Sequence, residues 1–286
     1  MVLAVKTKDH PAEPVSRTSW QPPSDTEISA LAAILDPWKR LTSPRFYNLE
    51  NVPRRGRALL VGNHTMYGLL DVPLMWLEIK EQRDRLVRSL GDHLHFQVPV
   101  WRDLLQRFGS VPGTRENCAT LLRGGEAVMV FPGGAREVAK RRDEKYRLHW
   151  KERMGFARLA IQCGAPIIPF AAVGAEEMYD IVIDAEHPIF APARMVLERL
   201  TGRTDFIWPV STGLGGTPLP KPKRFYFWFG KPIPTKKYAG HHEELQARRA
   251  VRDQARRAIE GGIDFLVRER ESDPGRDLSN RLLGRG

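Results

Sequence analysis

Two β-prone runs, each closed by a glycine-bearing turn with ionisable side chains, constrain this chain more than any other feature. Arg57-Ala58-Leu59-Leu60-Val61 leads into Gly62-Asn63-His64, with a carboxylate following at Asp71. Ala127-Val128-Met129-Val130 leads into Phe131-Pro132-Gly133-Gly134-Ala135-Arg136-Glu137. Functional groups delivered at strand ends suit an α/β fold, in which ligands sit beyond the carboxyl ends of the strands. Histidine is the side chain best suited to general-base work near neutral pH. A Gly-Gly turn lets backbone donors approach a ligand closely.

The rest of the chain repeats the alternation. Strands are expected at Ala58–Gly62, Leu86–Leu90, Ala127–Phe131, Pro166–Val173 and Arg224–Gly230. Helices are expected at Val72–Gln82, Val100–Phe108, Thr114–Arg123, Lys151–Cys163 and from His241 to about Arg270. A short amphipathic helix should run from Asp25 to about Asp36, where Pro37 ends or kinks it. The pattern predicts an α/β fold: a mostly parallel central sheet flanked by helices, with a short N-terminal amphipathic helix and a long C-terminal one. Residues 1–25 read as a flexible lead-in and 26–286 as a single domain. Thr201–Pro222 reads as a long surface loop, of a length more often functional than idle. The Phe225-Tyr226-Phe227-Trp228-Phe229 run reads as a strand buried on both faces rather than an aromatic platform.

Composition narrows the classes. With 286 residues, 42% of them apolar, the chain can bury a substantial core. Cys118 and Cys163 have no ligand-like spacing to histidine, so two packing thiols in a reducing compartment are expected, with no metal site. Met1–Pro22 lacks the apolar core of a secretory signal, and no run approaches the ~18 apolar residues a spanning helix needs. A cytoplasmic protein that is peripheral or monotopic at a membrane fits these features. The net charge of +11 concentrates in two stretches. Arg136–Arg158 holds nine Lys/Arg against four acids, and Pro218–Lys237 holds six and no acid. Such stretches attract phosphate on a cofactor or on an anionic membrane surface, or they form an ordinary solvated face. Nucleic acid is disfavoured, because no zinc-finger or RNP signature accompanies the charge and Gly213-Leu214-Gly215-Gly216 sits in a Pro-rich loop rather than between helices.

Four blocks occur in order: Gly62-Asn63-His64, Gly109-Ser110-Val111-Pro112-Gly113-Thr114-Arg115, Phe131-Pro132-Gly133-Gly134-Ala135-Arg136, and Ala165-Pro166-Ile167-Ile168-Pro169-Phe170. Together they resemble the glycerolipid acyltransferase superfamily, the PlsC-like lysophospholipid acyltransferases, and most of all its diacylglycerol-acyltransferase-like branch. The resemblance spans roughly Arg54 to Pro234 and departs from the family pattern twice. The family places an aspartate five residues after its histidine, whereas here Leu69 stands there and the first carboxylate is Asp71. On a helix seven residues climb ~10 Å, so contact between His64 and Asp71 requires a turn through Gly68. The family's Pro-Glu-Gly-Thr-Arg becomes Pro132-Gly133-Gly134-Ala135-Arg136, without the glutamate.

The resemblance implies an O-acyltransferase of the acyl-CoA-dependent glycerolipid type. It would move a fatty acyl group from acyl-CoA or acyl carrier protein, as co-substrate with no further cofactor, to a lipid acceptor. His64 would be the base, Asp71 its partner, and Arg115, Gly133, Gly134, Arg136 and Glu137 would bind substrate. Glu137 is equally readable as a helix N-terminal acid favoured by the dipole. Arg115 and Arg136 have a surface reading as well, but both recur in the family blocks that bind the phosphorylated or polar end of substrate, and His93, His95 and His149 read as structural. The missing charge at position 133 favours a neutral acceptor alcohol over a phosphorylated one. Two rivals stay open: a catalytically silent lipid-binding protein of the same fold, and an acyl-thioester hydrolase.

Overall fold

The computed structural model describes residues 20–65, 68–201, 207 and 209–284; most of the lead-in expected at 1–25 lies outside them. The central sheet is built from β1 (Arg45–Tyr47), β2 (Ala58–Gly62), β3 (Val87–Gly91), β4 (Val111–Pro112), β5 (Ala127–Val130), β6 (Ile167–Val173) and a seventh strand at Tyr226–Phe229. Between β6 and that last strand, β7 (Asp180–Ile183) and β8 (Val210–Thr212) form a separate antiparallel ribbon, so the seventh sheet strand is β9. The sheet order is β1-β9-β6-β2-β5-β3-β4. Strands β6, β2, β5, β3 and β4 pair in parallel, whereas β9 runs antiparallel to β6.

Helices cover both faces: α1 (Asp25–Thr42), α2 (Val72–Arg83), α3 (Pro99–Arg107), α4 (Arg115–Arg123), α5 (Ala135–Val138), α6 (Gly155–Cys163), α7 (Ala191–Thr201), α8 (Leu245–Ser272) and α9 (Leu278–Leu282). Because side chains alternate across a strand, β2 feeds two cores. Leu59 and Val61 join one layer with residues of α4, α6 and α8, and Ala58 and Leu60 join another with α2. α8 lays Val251, Ala255, Ile259, Ile263 and Leu266 along the first layer, a stripe at helical spacing. The aromatic run is buried as a two-sided strand: Tyr226 faces the first layer, and Phe225, Phe227 and Phe229 face the second. Both cysteines are buried, and desolvation pushes the Cys118 thiol up to about 12.

Several boundaries differ from the sequence expectation, among them the start of α8 at Leu245 rather than His241. α1 runs through Pro37 to Thr42. Pro37 and Ala33, the residue whose carbonyl it leaves without an N–H, are both exposed, so water can serve that carbonyl. Beyond the proline, Trp38 packs on the second core layer and its indole N–H donates to the Leu70 carbonyl at 2.8 Å, which offsets the break. α6 begins at Gly155 rather than Lys151, because Lys151 adopts φ +49°, outside the helical region. The expected 201–222 loop contains β8, and α7 precedes it.

Gly174 caps β6 with φ +111°, and a Cβ there would lie 2.1 Å from the Arg224 carbonyl oxygen. Gly164 closes α6 at φ +59° with open space around it. Gly174→Ala should therefore cost about 3 kcal/mol or more from strain and overlap together, and Gly164→Ala about 1 kcal/mol. Urea unfolding of the two variants measures the ranking, and equal midpoints would contradict the packing at Gly174.

Candidate active site

β2 is paired on both edges, with Val61 opposite Val130 of β5 and Pro169 of β6. Asn63 extends that pairing past the strand. Its amide nitrogen donates to the Ala172 carbonyl and its amide oxygen accepts from the Ala172 N–H, both at 2.9 Å. This buried clasp fixes where the next residue, His64, leaves the sheet. The backbone N–H of His64 then donates to Oε2 of Glu137 at 2.9 Å. Its ring lies against Phe131, centroids 4.3 Å apart.

His64 Nδ1 lies 3.1 Å from the carbonyl oxygen of Thr65. A carbonyl only accepts, so this contact places the ring proton on Nδ1 and leaves the lone pair on Nε2. Burial depresses the imidazole to about 4, with the nearby Lys140 charge acting in the same direction and the Thr65 bond against it. His64 is therefore neutral at physiological pH, in the tautomer a base acting through Nε2 requires.

Asp71 does not occupy the position the resemblance implied for it. Its Oδ2 accepts from the Thr65 hydroxyl and its Oδ1 from the Val72 N–H, each at 2.8 Å, so it caps α2. The longer spacing is the cause. Seven residues bring the chain through a turn at Gly68, φ +34°, and deliver the carboxylate to a helix N-terminus rather than to the imidazole. Asp71 and His64 are linked through Thr65, whose side chain meets one and whose carbonyl meets the other. Desolvation raises Asp71 to about 6, with its hydrogen bonds working against the shift.

The glycine turn follows β5. Gly134, at φ +54°, donates its N–H to the Phe131 carbonyl at 3.0 Å. Among the described residues the Gly133 N–H meets no acceptor. Arg153 holds the turn from outside by donating to the carbonyls of Pro132 at 2.9 Å and Gly133 at 2.7 Å. The Glu137 carboxylate points inward, fully buried, and accepts from the backbone of His64 and, through Oε1, from the His149 N–H at 2.8 Å. It is not presented to a substrate. Arg136 likewise turns away, into an ion pair with Glu144. Behind Glu137, Lys140 and Glu176 form a buried ion pair, and Oε2 of Glu176 accepts from the Tyr146 N–H at 2.7 Å.

Arg115 is exposed at the start of α4 and forms no ion pair with a described residue. It lines an open groove of about 670 Å³ with Thr114, Val130, Pro132, Arg153 and Phe156. Val130 packs on the first core layer and Phe131 on the second, so the groove and the His64 ring lie on opposite sides of the β5 end. The structure thus gathers His64, Gly133, Gly134 and Glu137, links Asp71 through Thr65, and sets Arg115 and Arg136 apart. Asn63, Thr65, Gly68, Lys140, Arg153 and Glu176 were not singled out as site residues from sequence. Asn63 and Thr65 flank His64, which was a usable signal, whereas nothing local marked Glu176.

The environment of His64 has measurable consequences. A Cβ at Gly68 would lie 2.2 Å from His64 Cε1, so Gly68→Ala should displace the ring toward water. Its NMR titration midpoint should then move from about 4 toward the ordinary 6.5; an unmoved midpoint would contradict this packing. Stability should also respond to pH in opposing ways. Between about 6.5 and 4 the unfolded chain protonates His64 and the folded chain does not, so His64 withdraws stability as pH falls. Asp71 keeps its proton in the folded state up to about 6, so it withdraws stability as pH rises through 4 to 6. Relative to wild type, His64→Gln should gain thermal stability toward pH 4 and Asp71→Asn should gain toward pH 7. Thermal melts over that range read the two slopes, and slopes of the same sign would contradict the assignment.

The acyltransferase family matches residues 43–173, a span that runs from the end of α1 through β6 and includes both turns. Phytyl ester synthase 2 of Arabidopsis thaliana is 32% identical over 262 residues, covering 82% of this chain and 36% of that protein. The human DGAT1/2-independent enzyme synthesizing storage lipids is 32% identical over 155 residues, 51% of this chain and 47% of that one. The chain thus spans less than half the length of these relatives. The crystal structure of the lysophosphatidate acyltransferase PlsC from Thermotoga maritima aligns with TM-score 0.45 and 16% identity over 82% of this chain and 81% of that one, too distant a likeness to carry any residue across. With the family match running through both turns, residues 43–173 form an acyltransferase-family domain.

Proposed function

We propose that the protein transfers a fatty acyl group from a thioester donor, acyl-CoA or acyl carrier protein, to the hydroxyl of a lipid alcohol, with His64 as general base. The observation that carries this reading is the imidazole itself: desolvated, neutral, and tied through Nδ1 to the Thr65 carbonyl so that Nε2 holds the lone pair. In the reaction, Nε2 takes the acceptor's proton as its oxygen attacks the thioester carbonyl. The Gly133 N–H, which no described residue engages, stabilises the oxyanion. Collapse expels the thiolate, which recovers the proton from the imidazolium. Asp71 acts at one remove by holding Thr65. The donor's phosphates fit the Arg115 groove, into which the N-terminal ends of α4 and α6 open.

A neutral acceptor is favoured. The Arg136 charge is spent on Glu144, and the carboxylate of Glu137 is sealed from solvent, so neither meets an acceptor. The names of the relatives, a phytyl ester synthase and an enzyme synthesizing storage lipids, point to neutral alcohols. No described helix is long and apolar enough to cross a membrane. The apolar stripe of α1 packs on the core, so a lipid surface would be met by exposed groups such as Leu69, beside the His64 turn.

Labelled acyl-CoA offered with diacylglycerol, a long-chain alcohol or lysophosphatidate tests the proposal. Transfer to the neutral alcohols should dominate by kcat/KM, and His64→Ala should lose on the order of 10²-fold or more. Asp71→Asn should lose about 10-fold, the scale of one hydrogen bond acting through Thr65. Activity in His64→Ala within about a factor of two of wild type would remove His64 as the base. Product formed equally without any alcohol would indicate a hydrolase.

A further inference from the structure

The family's glycine block carries a glutamate directly after its proline, and here that position is Gly133. The structure shows what fills the vacated space. A Cβ on Gly133 would lie 2.1 Å from Cδ, 2.2 Å from Cγ and 2.5 Å from Oε2 of Glu137. None of those separations is possible between non-bonded atoms, so residue 133 can carry a side chain only if Glu137 gives up its place. Position 133 is not in the left-handed region, so backbone conformation does not require the glycine. The Glu137 side chain does.

We propose that Glu137 is the positioning residue of the His64 segment, supplying from the next turn a carboxylate that the block lacks at 133, and that Gly133 is glycine to admit it. Glu137 is fully buried, and each of its oxygens accepts one backbone N–H, from His64 at 2.9 Å and from His149 at 2.8 Å. It therefore ties the end of β2 to the segment after α5, across the turn where the oxyanion donor sits. Burial, with the nearby Glu176 charge, raises the Glu137 carboxyl, and Lys140 and the two backbone hydrogen bonds act against that shift. The acid touches no substrate in this arrangement; it fixes the backbone from which the imidazole projects. The inference rests on the proposed role of His64 for its catalytic consequence and not for its structural one.

An aspartate at 133 provides the decisive variant. Its carboxylate oxygens stand about 2.4 Å from Cβ by standard covalent geometry, close to the 2.5 Å that separates the Gly133 Cβ position from Oε2 of Glu137. Gly133→Asp alone should collide with Glu137 and lower the melting temperature by on the order of 5 °C. Gly133→Asp combined with Glu137→Ala should recover most of that loss, since the new carboxylate reaches the His64 N–H from the other side. The isosteric Glu137→Gln, which places an amide against one N–H, should fold. It should speed hydrogen exchange at the His64 and His149 amides together by roughly 10- to 100-fold, and lower kcat by a similar factor with KM within about twofold. Melting and exchange need no substrate, so they decide the structural claim even if acyl transfer fails for the wild type. Wild-type melting of Gly133→Asp, unchanged exchange in Glu137→Gln, or a double variant no better than Gly133→Asp would each overturn the proposal.

Discussion

The pairing of β2 on both of its edges is the constraint from which the site follows. Burial on both faces leaves its register no freedom: a slip of one residue would exchange Leu59 and Val61 with Ala58 and Leu60 between two differently shaped cores. With β5 on one side and β6 on the other, the turn after β2 is held beside the turn after β5 and the end of β6. Asn63 reaches the β6 backbone and Glu137 reaches back from the β5 side to His64. The histidine is thus fixed from two directions by groups that the sheet order alone brings together. At that point the chain leaves regular pairing, and single side chains replace the ladder.

Fixing the histidine this way places charge in a poor medium for it. Asp71, Glu137, Lys140 and Glu176 are all buried near one another. Lone buried charges are costly, and pairs repay the cost only when every lone pair and proton is engaged. That condition is largely met here. Lys140 pairs with Glu176, whose other oxygen takes the Tyr146 N–H, and Glu137 and Asp71 each accept two hydrogen bonds. Burial still pushes all three acids upward. A depressed histidine beside raised carboxylates is the signature expected where a fold has placed ionisable groups for something other than stability.

The strands and most helices were legible because they carry long signals. The apolar runs at 58–62, 127–130 and 167–173 and the helices at 72–83 and 115–123 are where the periodicity placed them. β1 and β4, of three and two residues, are too short to have any periodicity. The site was legible in outline and wrong in wiring. His64 and the Gly133-Gly134 turn stand together, but the link from His64 to Asp71 passes through Thr65. The partner of a histidine is chosen by three-dimensional position, and here the unusual seven-residue spacing was the visible sign that a backbone carbonyl would take the usual place of the acid. Glu137 shows the same limit: its reach backward to His64 depends on the missing Cβ at 133, a negative feature that no residue-by-residue reading weights.

The basic stretches look different once their partners are known. Of the nine cations in Arg136–Arg158, Arg136, Lys140, Arg141 and Arg158 pair with Glu144, Glu176, Glu186 and Glu243. Arg142 donates to the carbonyls of Ile181 and Val182, and Arg153 to those of Pro132 and Gly133. Lys145, Arg147 and Lys151 are left as exposed cations with no ion pair to a described residue. In the second stretch Lys221, Lys223 and Arg224 engage Asp180, Asp277 and Asp273. Acids distant in sequence answer cations that a local count leaves unanswered. A surface that binds anions through released counterions needs unpaired cations at close spacing, and most of this excess is instead fastened into loops around the glycine turn and the β7–β8 ribbon. The charge excess of these stretches therefore serves in large part to hold irregular backbone in place, and Lys231, Lys236 and Lys237 join Lys145, Arg147 and Lys151 as exposed cations with no ion pair to a described residue.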